Sequence, residues 1–364
     1  MNVLLLGGTG AMGCHLHRWL VDQGVKVTIT SRKAHAPELN TVYEQGDAHD
    51  KLFLQEVLRH QFDAVVDFMT WEEEEFKNVV PLLISSCGQY VFLSSYRVFA
   101  ASDIIVEDSP RLVDVCPDRL YCASDEYAVR KAREEDWLRA QNSGNWTIVR
   151  PSITYSASGR FQLGAYEASQ WLWRALNGLP IPFSRAMASC ECTMTWGGDA
   201  ARMIGMLLGR DGCLGKVYNV VTSKHQSWQD IIDAYSKVLD LDIRWIDVHR
   251  QEVFDRGTLN RYGYVPQVRY DRMVNRVMDN SKILEVTGLD ESELEDATKR
   301  IPIELTIFLS SNTPDPSRAL RVQPTVQGRL DDMCGMLLSP MRAFELFEGK
   351  TSSAKYYAGR FGLR

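Results

Sequence analysis

A doubly wound α/β fold, a parallel sheet with helices on both faces, is predicted by three observations. The apolar run Val3-Leu4-Leu5-Leu6 leads directly into the glycine-rich stretch Gly7-Gly8-Thr9-Gly10-Ala11-Met12-Gly13. A helical pattern around His15 to Leu20 and a second strand at 25–30 then complete a βαβ unit. Strand and helix go on alternating over the first 150 residues, which is the pattern of a parallel sheet with crossover helices.

Strands are expected at 3–6, 25–30, 41–44, 63–67, 90–94 and 146–150, and helices at about 11–23, 50–60, 73–86 and 123–141. Thr70 followed by Glu73 predicts a capping box for the third helix, and the acid run Glu72 to Glu75 suits the positive end of its dipole. The rhythm changes after Pro151. A helix is expected over 161–178, stopped by Pro180, another from Asp199 to Leu208, a strand at 217–221, and a helix capped by Ser227 and Asp230 that runs to Leu239. The strand at 217–221 is expected to rejoin the parallel sheet. The domain expectation is therefore 1–160 with 196–221 returning to it, a smaller α/β domain from 161–195 and 222–300, and an irregular C-terminal extension over 301–364.

The chain has 364 residues, enough for a large core, and carries 47 acids against 41 bases for a net charge of −6. That balance disfavours a nucleic-acid surface. No apolar run reaches the ~20 residues of a membrane span. The first strand begins at Asn2, so no signal peptide is expected and cytoplasmic residence is the default. The eight cysteines form no Cys-x-x-Cys pair, and Cys190-Glu191-Cys192 has no histidines beside it. Structural thiols are expected, with no metal site.

The glycines at 7, 10 and 13 allow a tight turn, close approach of a pyrophosphate, and packing of helix on strand. The helix start at Ala11 and Met12 offers free N–H groups to the anion. Tyr127-Ala128-Val129-Arg130-Lys131 places a phenol and an ammonium one turn apart on one helix face. A neighbouring ammonium favours a phenolate, which fits a phenol to exchange protons near neutrality. Val91-Phe92-Leu93-Ser94-Ser95 predicts a buried strand ending in two hydroxyls at the end of the sheet that faces ligand.

Residues 2 to 240 resemble the extended branch of the short-chain dehydrogenase/reductase superfamily, the NAD-dependent epimerase/dehydratase family, with its Rossmann-type sheet. The marks are the Gly7 to Gly13 stretch, Gly46-Asp47, Phe92-Leu93-Ser94-Ser95, Tyr127/Lys131, Arg150-Pro151 and Asp199-Ala200-Ala201. The resemblance implies that Ser95, four residues before Phe99, and Tyr127 and Lys131 are catalytic. Tyr127 would be the acid/base, Ser95 would hold the substrate oxygen, Lys131 would hold the cofactor ribose and Asp47 would contact adenine. Phe68, Met69 and Pro151 complete the cofactor-facing set with Gly7, Thr9, Gly10, Ala11, Met12 and Gly13. The second strand ends in Thr30-Ser31-Arg32 with no acid. Ser31 and Arg32 therefore point to NADP, with NAD as the alternative.

Three departures bear on the reaction. Tyr96-Arg97 follow Ser95 where sugar dehydratases carry an acid pair, so dehydration is disfavoured. Ile153 and Cys192 stand where many nucleotide-sugar members carry asparagine and arginine; Arg97 and Arg185 are the alternative anion ligands, beside Ser95 and Tyr96 in the substrate set. Hydride transfer at a secondary alcohol or ketone of a sugar or nucleotide sugar remains, by an epimerase or a keto-sugar reductase. A non-catalytic relative that binds RNA or senses NAD(P) is the other reading. A homodimer is expected through the third helix and the Tyr/Lys helix, with Val80, Leu82, Leu83, Ala132, Trp137 and Leu138 either towards the partner or, equally well, packed on the sheet.

Overall fold

The computed structural model describes residues 1–252, 265–336, 338–347, 356 and 359. Residues 253–264 of the expected second domain, and most of the stretch after 347, lie outside them. The chain divides into two compact units: Met1–Ser158 with Thr193–His225 and Arg276–Asp296, and Gly159–Cys192 with Gln226–Asn275 and Ala297–Arg364.

The first unit is built on β1 (Asn2–Leu6), β2 (Lys26–Ser31), β3 (Thr41–Gln45), β4 (Phe62–Asp67), β5 (Cys87–Leu93), β6 (Trp146–Pro151) and the late strand Lys216–Val220. These form one seven-stranded sheet in the order Lys216–Val220, β6, β5, β4, β1, β2, β3. Every pairing in it is parallel. The late strand pairs with β6 from Lys216↔Thr147 to Val220↔Pro151, so it does return to the sheet.

Side chains alternate across β1. Val3 and Leu5 join a core with Leu16, Leu20, Ile204 and Leu207. Leu4 and Leu6 join a second core with Leu54, Phe76, Leu83 and Leu138. A strand buried on both faces reads as an unbroken apolar run, which is why Val3 to Leu6 shows no alternation.

The helices between the strands are α1 (Gly13–Asp22), α2 (Lys51–Val57) and α3 (Glu73–Ser85). Two short helical turns, α4 (Leu112–Val115) and α5 (Arg119–Cys122), precede α6 (Tyr127–Arg139). The expected Thr70 cap is corrected: Glu72 caps α3, in a capping box with Glu75. Of the two placements expected for the apolar residues of α3 and α6, the sheet-packed one is observed. Val80, Leu83, Ala132 and Leu138 are wholly buried within this chain, while Leu82 and Trp137 are partly buried against the same core.

In the second unit the helix expected over 161–178 is shorter, Ala168–Leu176. Its N-terminal half is broken by Gly164 at φ +56° and by a bridge between Leu163 and Tyr166. The helix starts instead at a Glu167/Gln170 capping box. Ser227 and Asp230 do cap a helix, Trp228–Ser236, which ends before Leu239. The stretch after 300 is more ordered than expected, with helices Ala297–Ser311 and Pro324–Cys334. The second of these is tied in by Arg174, whose guanidinium meets Asp331 at 2.9 Å with both side chains fully buried. Residues 276–296, expected in the second domain, belong to the first unit. Among the described residues no helix is long and apolar enough to cross a membrane.

Candidate active site

The glycine-rich turn joins β1 to α1. Gly7 takes φ +67°, a left-handed conformation, and its N–H donates to Thr30 Oγ1 at 3.0 Å. A Cβ on Gly13 would lie 2.4 Å from the Gly8 carbonyl oxygen, so helix and turn touch there. A Cβ on Gly10 would meet nothing within 4 Å. Gly10 thus leaves a cradle at the start of a ten-residue helix, whose first N–H groups have no partner within the helix. That is the arrangement that accepts a pyrophosphate.

Beside the turn lies a cavity of about 280 Å³ at the C-terminal ends of the strands. Gly7, Thr9, Ser31, Arg32, Asp47, Phe68 and Met69, all expected to face the cofactor, line it. Thr30, Gly46, Ala48, His49 and Thr70 line it as well, and the sequence reading did not place them in the cofactor-facing set. Arg32 and Asp47 are exposed. Asp47 Oδ1 accepts from the His49 N–H at 3.1 Å, which fixes the loop after β3. The Ser31 hydroxyl lies 2.9 Å from His35 Nε2 and accepts from the Lys33 N–H at 3.2 Å. Gly10, Ala11, Met12 and Gly13 form the turn and helix start. Pro151 is buried at the end of β6. The open Gly10 cradle and this cavity fit a dinucleotide.

Ser94 and Ser95 follow β5. Ser95 Oγ accepts from the Arg97 N–H at 3.2 Å and so caps the short turn Tyr96–Val98. Its own O–H is left to donate. Ser94 is 2% exposed and its hydroxyl has no hydrogen-bond partner. Arg97 reaches α6: its guanidinium pairs with Glu126 at 2.5 Å and lies 5.3 Å from the centre of the Tyr127 ring. Glu126 in turn caps α6 by accepting from the Ala128 N–H at 2.8 Å, and the Tyr121 hydroxyl donates to it at 3.3 Å. Arg97 thus meets both neighbours: its backbone N–H donates to Ser95 and its guanidinium lies over the Tyr127 ring while paired with Glu126, a carboxylate that the sequence reading passed over. Tyr127 is partly exposed, whereas Tyr96 is buried.

Lys131 is 1% exposed. Its Nζ lies 4.4 Å from the Phe92 ring centre and 3.0 Å from Glu134 Oε2. Asp67, at the end of β4, accepts from Trp71 Nε1 and the Tyr90 hydroxyl at 2.7 Å each and from the Met69 N–H at 2.9 Å. Burial pushes the Asp67 carboxyl up from its ordinary value, against the pull of these donors and of Lys131. Arg150 is buried and bidentate on Glu135, at 2.8 and 2.6 Å, which ties β6 to α6. Arg185 belongs to the second unit and is exposed, with its guanidinium 4.5 Å from the Trp245 ring centre. It lines an open cavity of about 440 Å³ with Arg250. Ile153 and Cys192, at the two positions where polar ligands were missed, are both buried.

Sheet order, glycine turn and strand-end cavity together define a doubly wound α/β protein shaped to hold a dinucleotide. The chain belongs to the NAD dependent epimerase/dehydratase family, whose model matches residues 3–220, and with it to the enzymes of the extended short-chain dehydrogenase/reductase type. It is 25% identical over 284 residues to the chloroplast stem-loop binding protein of 41 kDa b of Arabidopsis thaliana, covering 73% of this chain and 70% of that one. Its fold is similar to that of the Thermus thermophilus UDP-glucose 4-epimerase in complex with NAD, at 17% identity and TM-score 0.61 over 86% of this chain and 100% of that one. It is likewise similar to the UDP-N-acetylglucosamine 4-epimerase of Methanobrevibacter ruminantium in complex with UDP-N-acetylmuramic acid. There the identity is 17% and the TM-score 0.64, over 85% of this chain and 99% of that one.

Proposed function

We propose that this chain catalyses hydride transfer at a secondary alcohol or ketone of a nucleotide sugar, as an epimerase or a keto-sugar reductase. The observation that carries the reading is Arg97, whose backbone N–H donates to Ser95 and whose guanidinium lies 5.3 Å from the Tyr127 ring centre, in the unit that also holds the cavity suited to a dinucleotide. The names of two fold relatives, a UDP-glucose 4-epimerase and a UDP-N-acetylglucosamine 4-epimerase in complex with UDP-N-acetylmuramic acid, support the substrate class.

When bound, NAD(P) supplies a hydride acceptor and donor. The glycine turn and the residues of the adjacent cavity hold it. Ser95 accepts one hydrogen bond from backbone and keeps its own proton to donate to the substrate oxygen. Tyr127 takes or returns the proton of that oxygen. Glu126 fixes the first turn of α6 and with it the place of the phenol. Tyr127→Phe is expected to lower turnover by roughly 10²–10⁴-fold while leaving the cofactor Kd within about twofold. Anaerobic assays on a panel of nucleotide sugars measure this. Equal turnover by the variant rejects the mechanism, and net cofactor consumption assigns a reductase rather than an epimerase.

NADP is the proposed cofactor, since Arg32 lines the cavity where a ribose acid would stand for NAD. Arg32→Ala should weaken NADP binding roughly tenfold and NAD binding less than twofold. Equal losses in a fluorescence titration with both cofactors reject the assignment.

A second reading is RNA stem-loop binding, favoured by the name of the Arabidopsis relative. The net charge of −6 weighs against it. Salt-dependent RNA binding, equal in wild type and Tyr127→Phe and without turnover by either, would put this reading first.

A further inference from the structure

Glu134 lies one turn beyond Lys131 on α6 and is fully buried. Neither of its carboxyl oxygens makes a hydrogen bond. The Lys131 ammonium stands 3.0 Å from Oε2, within ion-pair reach though off the hydrogen-bonding direction. The other acid near this ammonium, Asp67 on β4, is already answered by Trp71, Tyr90 and the Met69 N–H. Arg130 on α6 also acts on Glu134, and Tyr90 on β5, with Cys87 near it, feels the charge of Glu134. An ammonium held at 1% exposure against the Phe92 ring needs a counter-charge, and Glu134 supplies it.

We propose that Glu134 is a positioning residue: it holds the Lys131 ammonium at a fixed place on α6, one turn from Tyr127. Its effect on turnover rests on the proposed function; the charge pair itself does not. Glu134 is unlike the other acids of this helix. Glu135 is engaged by Arg150, and Asp136 by Arg111, so both tie α6 to other elements. Glu134 faces only the lysine and the interior. Burial pushes its carboxyl up, and the Lys131 charge is the leading influence that pulls it back down.

Two measurements test this on the full chain. The first follows Glu134 itself in ¹³C-glutamate-labelled protein without cofactor, its resonance assigned by its loss in Glu134→Gln. Lys131→Met should raise the Glu134 titration midpoint by about one pH unit or more, because the favourable positive charge is gone. An unmoved midpoint overturns the pairing. The second is a double-mutant cycle on turnover and on cofactor Kd. Glu134→Gln should lower turnover about tenfold in the wild-type background and less than twofold in Lys131→Met. Glu134→Asp should recover part of the loss. Equal losses in both backgrounds, or a lowered melting temperature with turnover unchanged, mean that Glu134 only packs, and overturn the proposal. If Glu134→Gln does not fold, the double variant Lys131→Met/Glu134→Gln carries the test: recovered folding supports a charge pair, and failure overturns it. Unchanged turnover in Tyr127→Phe would remove the proposed function while leaving the Glu134 titration standing.

Discussion

Asp199 is 4% exposed, and its Oδ2 accepts from the Glu295 N–H at 2.7 Å. Burial pushes its carboxyl up to about 6 from an ordinary 3.8. The fold thus tolerates the protonated form and penalises the ionised one. The stability associated with the protonated form is fully present below about pH 4 and is lost as pH rises through about 6. Above that pH the penalty is roughly 3 kcal/mol. Asp199→Asn removes the charge and retains an acceptor for the Glu295 N–H. Its melting temperature should match wild type near pH 4 and exceed it at pH 8; a constant difference across that range would refute the account. The sequence singled out Tyr127 and Lys131 by their spacing, and both with Asp199 by the family resemblance. It did not disclose that Lys131 faces Glu134, or that Arg97 pairs with Glu126. Those partners are decided by which side chains share a buried volume, and no local spacing encodes that.

At the scale of the element, the glycine-rich turn separates folding from binding within seven residues. Gly13 is needed for close packing, since a Cβ there would lie 2.4 Å from the Gly8 oxygen. Gly10 faces open space. Gly13→Ala is therefore expected to lower stability by about 1–3 kcal/mol in chemical denaturation. Gly10→Ala should fold with wild-type stability and lose cofactor affinity by tenfold or more. A Gly10→Ala variant that binds cofactor normally would show that nothing approaches the turn closely. The six early strands were legible as short runs of β-branched, aromatic or apolar residues bounded by turn residues, the edge strand Thr41–Gln45 being the least apolar. Their ends were less so: the expected start of β5 at 90 is at Cys87, and the α3 cap moved from Thr70 to Glu72. The helix expected over 161–178 failed in its first half. Its aromatic spacing fits a helix, yet Gly164 and the Leu163–Tyr166 bridge turn the chain there, and Phe161 and Trp171 pack on Tyr235 from separate segments. Aromatic periodicity reports burial, and burial alone does not choose between a helix and a turn.

Across the whole molecule, the alternation of strand and helix, the glycine turn after β1 and the return of the strand near 217 were all fixed by local pattern. The first two depend on interactions close in sequence; the returning strand was legible as a run of β-formers after a helix, although it pairs far along the chain, Lys216 with Thr147, through the crossover that parallel strands require. The C-terminal stretch was read as irregular because its prolines at 302, 314, 316 and 324 suggest breaks. Yet Pro302 lies inside a helix, and Pro324 opens one, where a missing N–H costs nothing. Amino-acid order by itself determined the fold class, the dinucleotide turn and the Ser95, Tyr127 and Lys131 set as candidates. Only the tertiary structure decided that 276–296 joins the sheet-bearing unit, that the apolar faces of α3 and α6 are covered within this chain, and which carboxylates answer Arg97, Arg150 and Lys131. The reason is physical: a buried charge needs an opposite charge nearby in space, and distant parts of a chain become neighbours only once the core has closed.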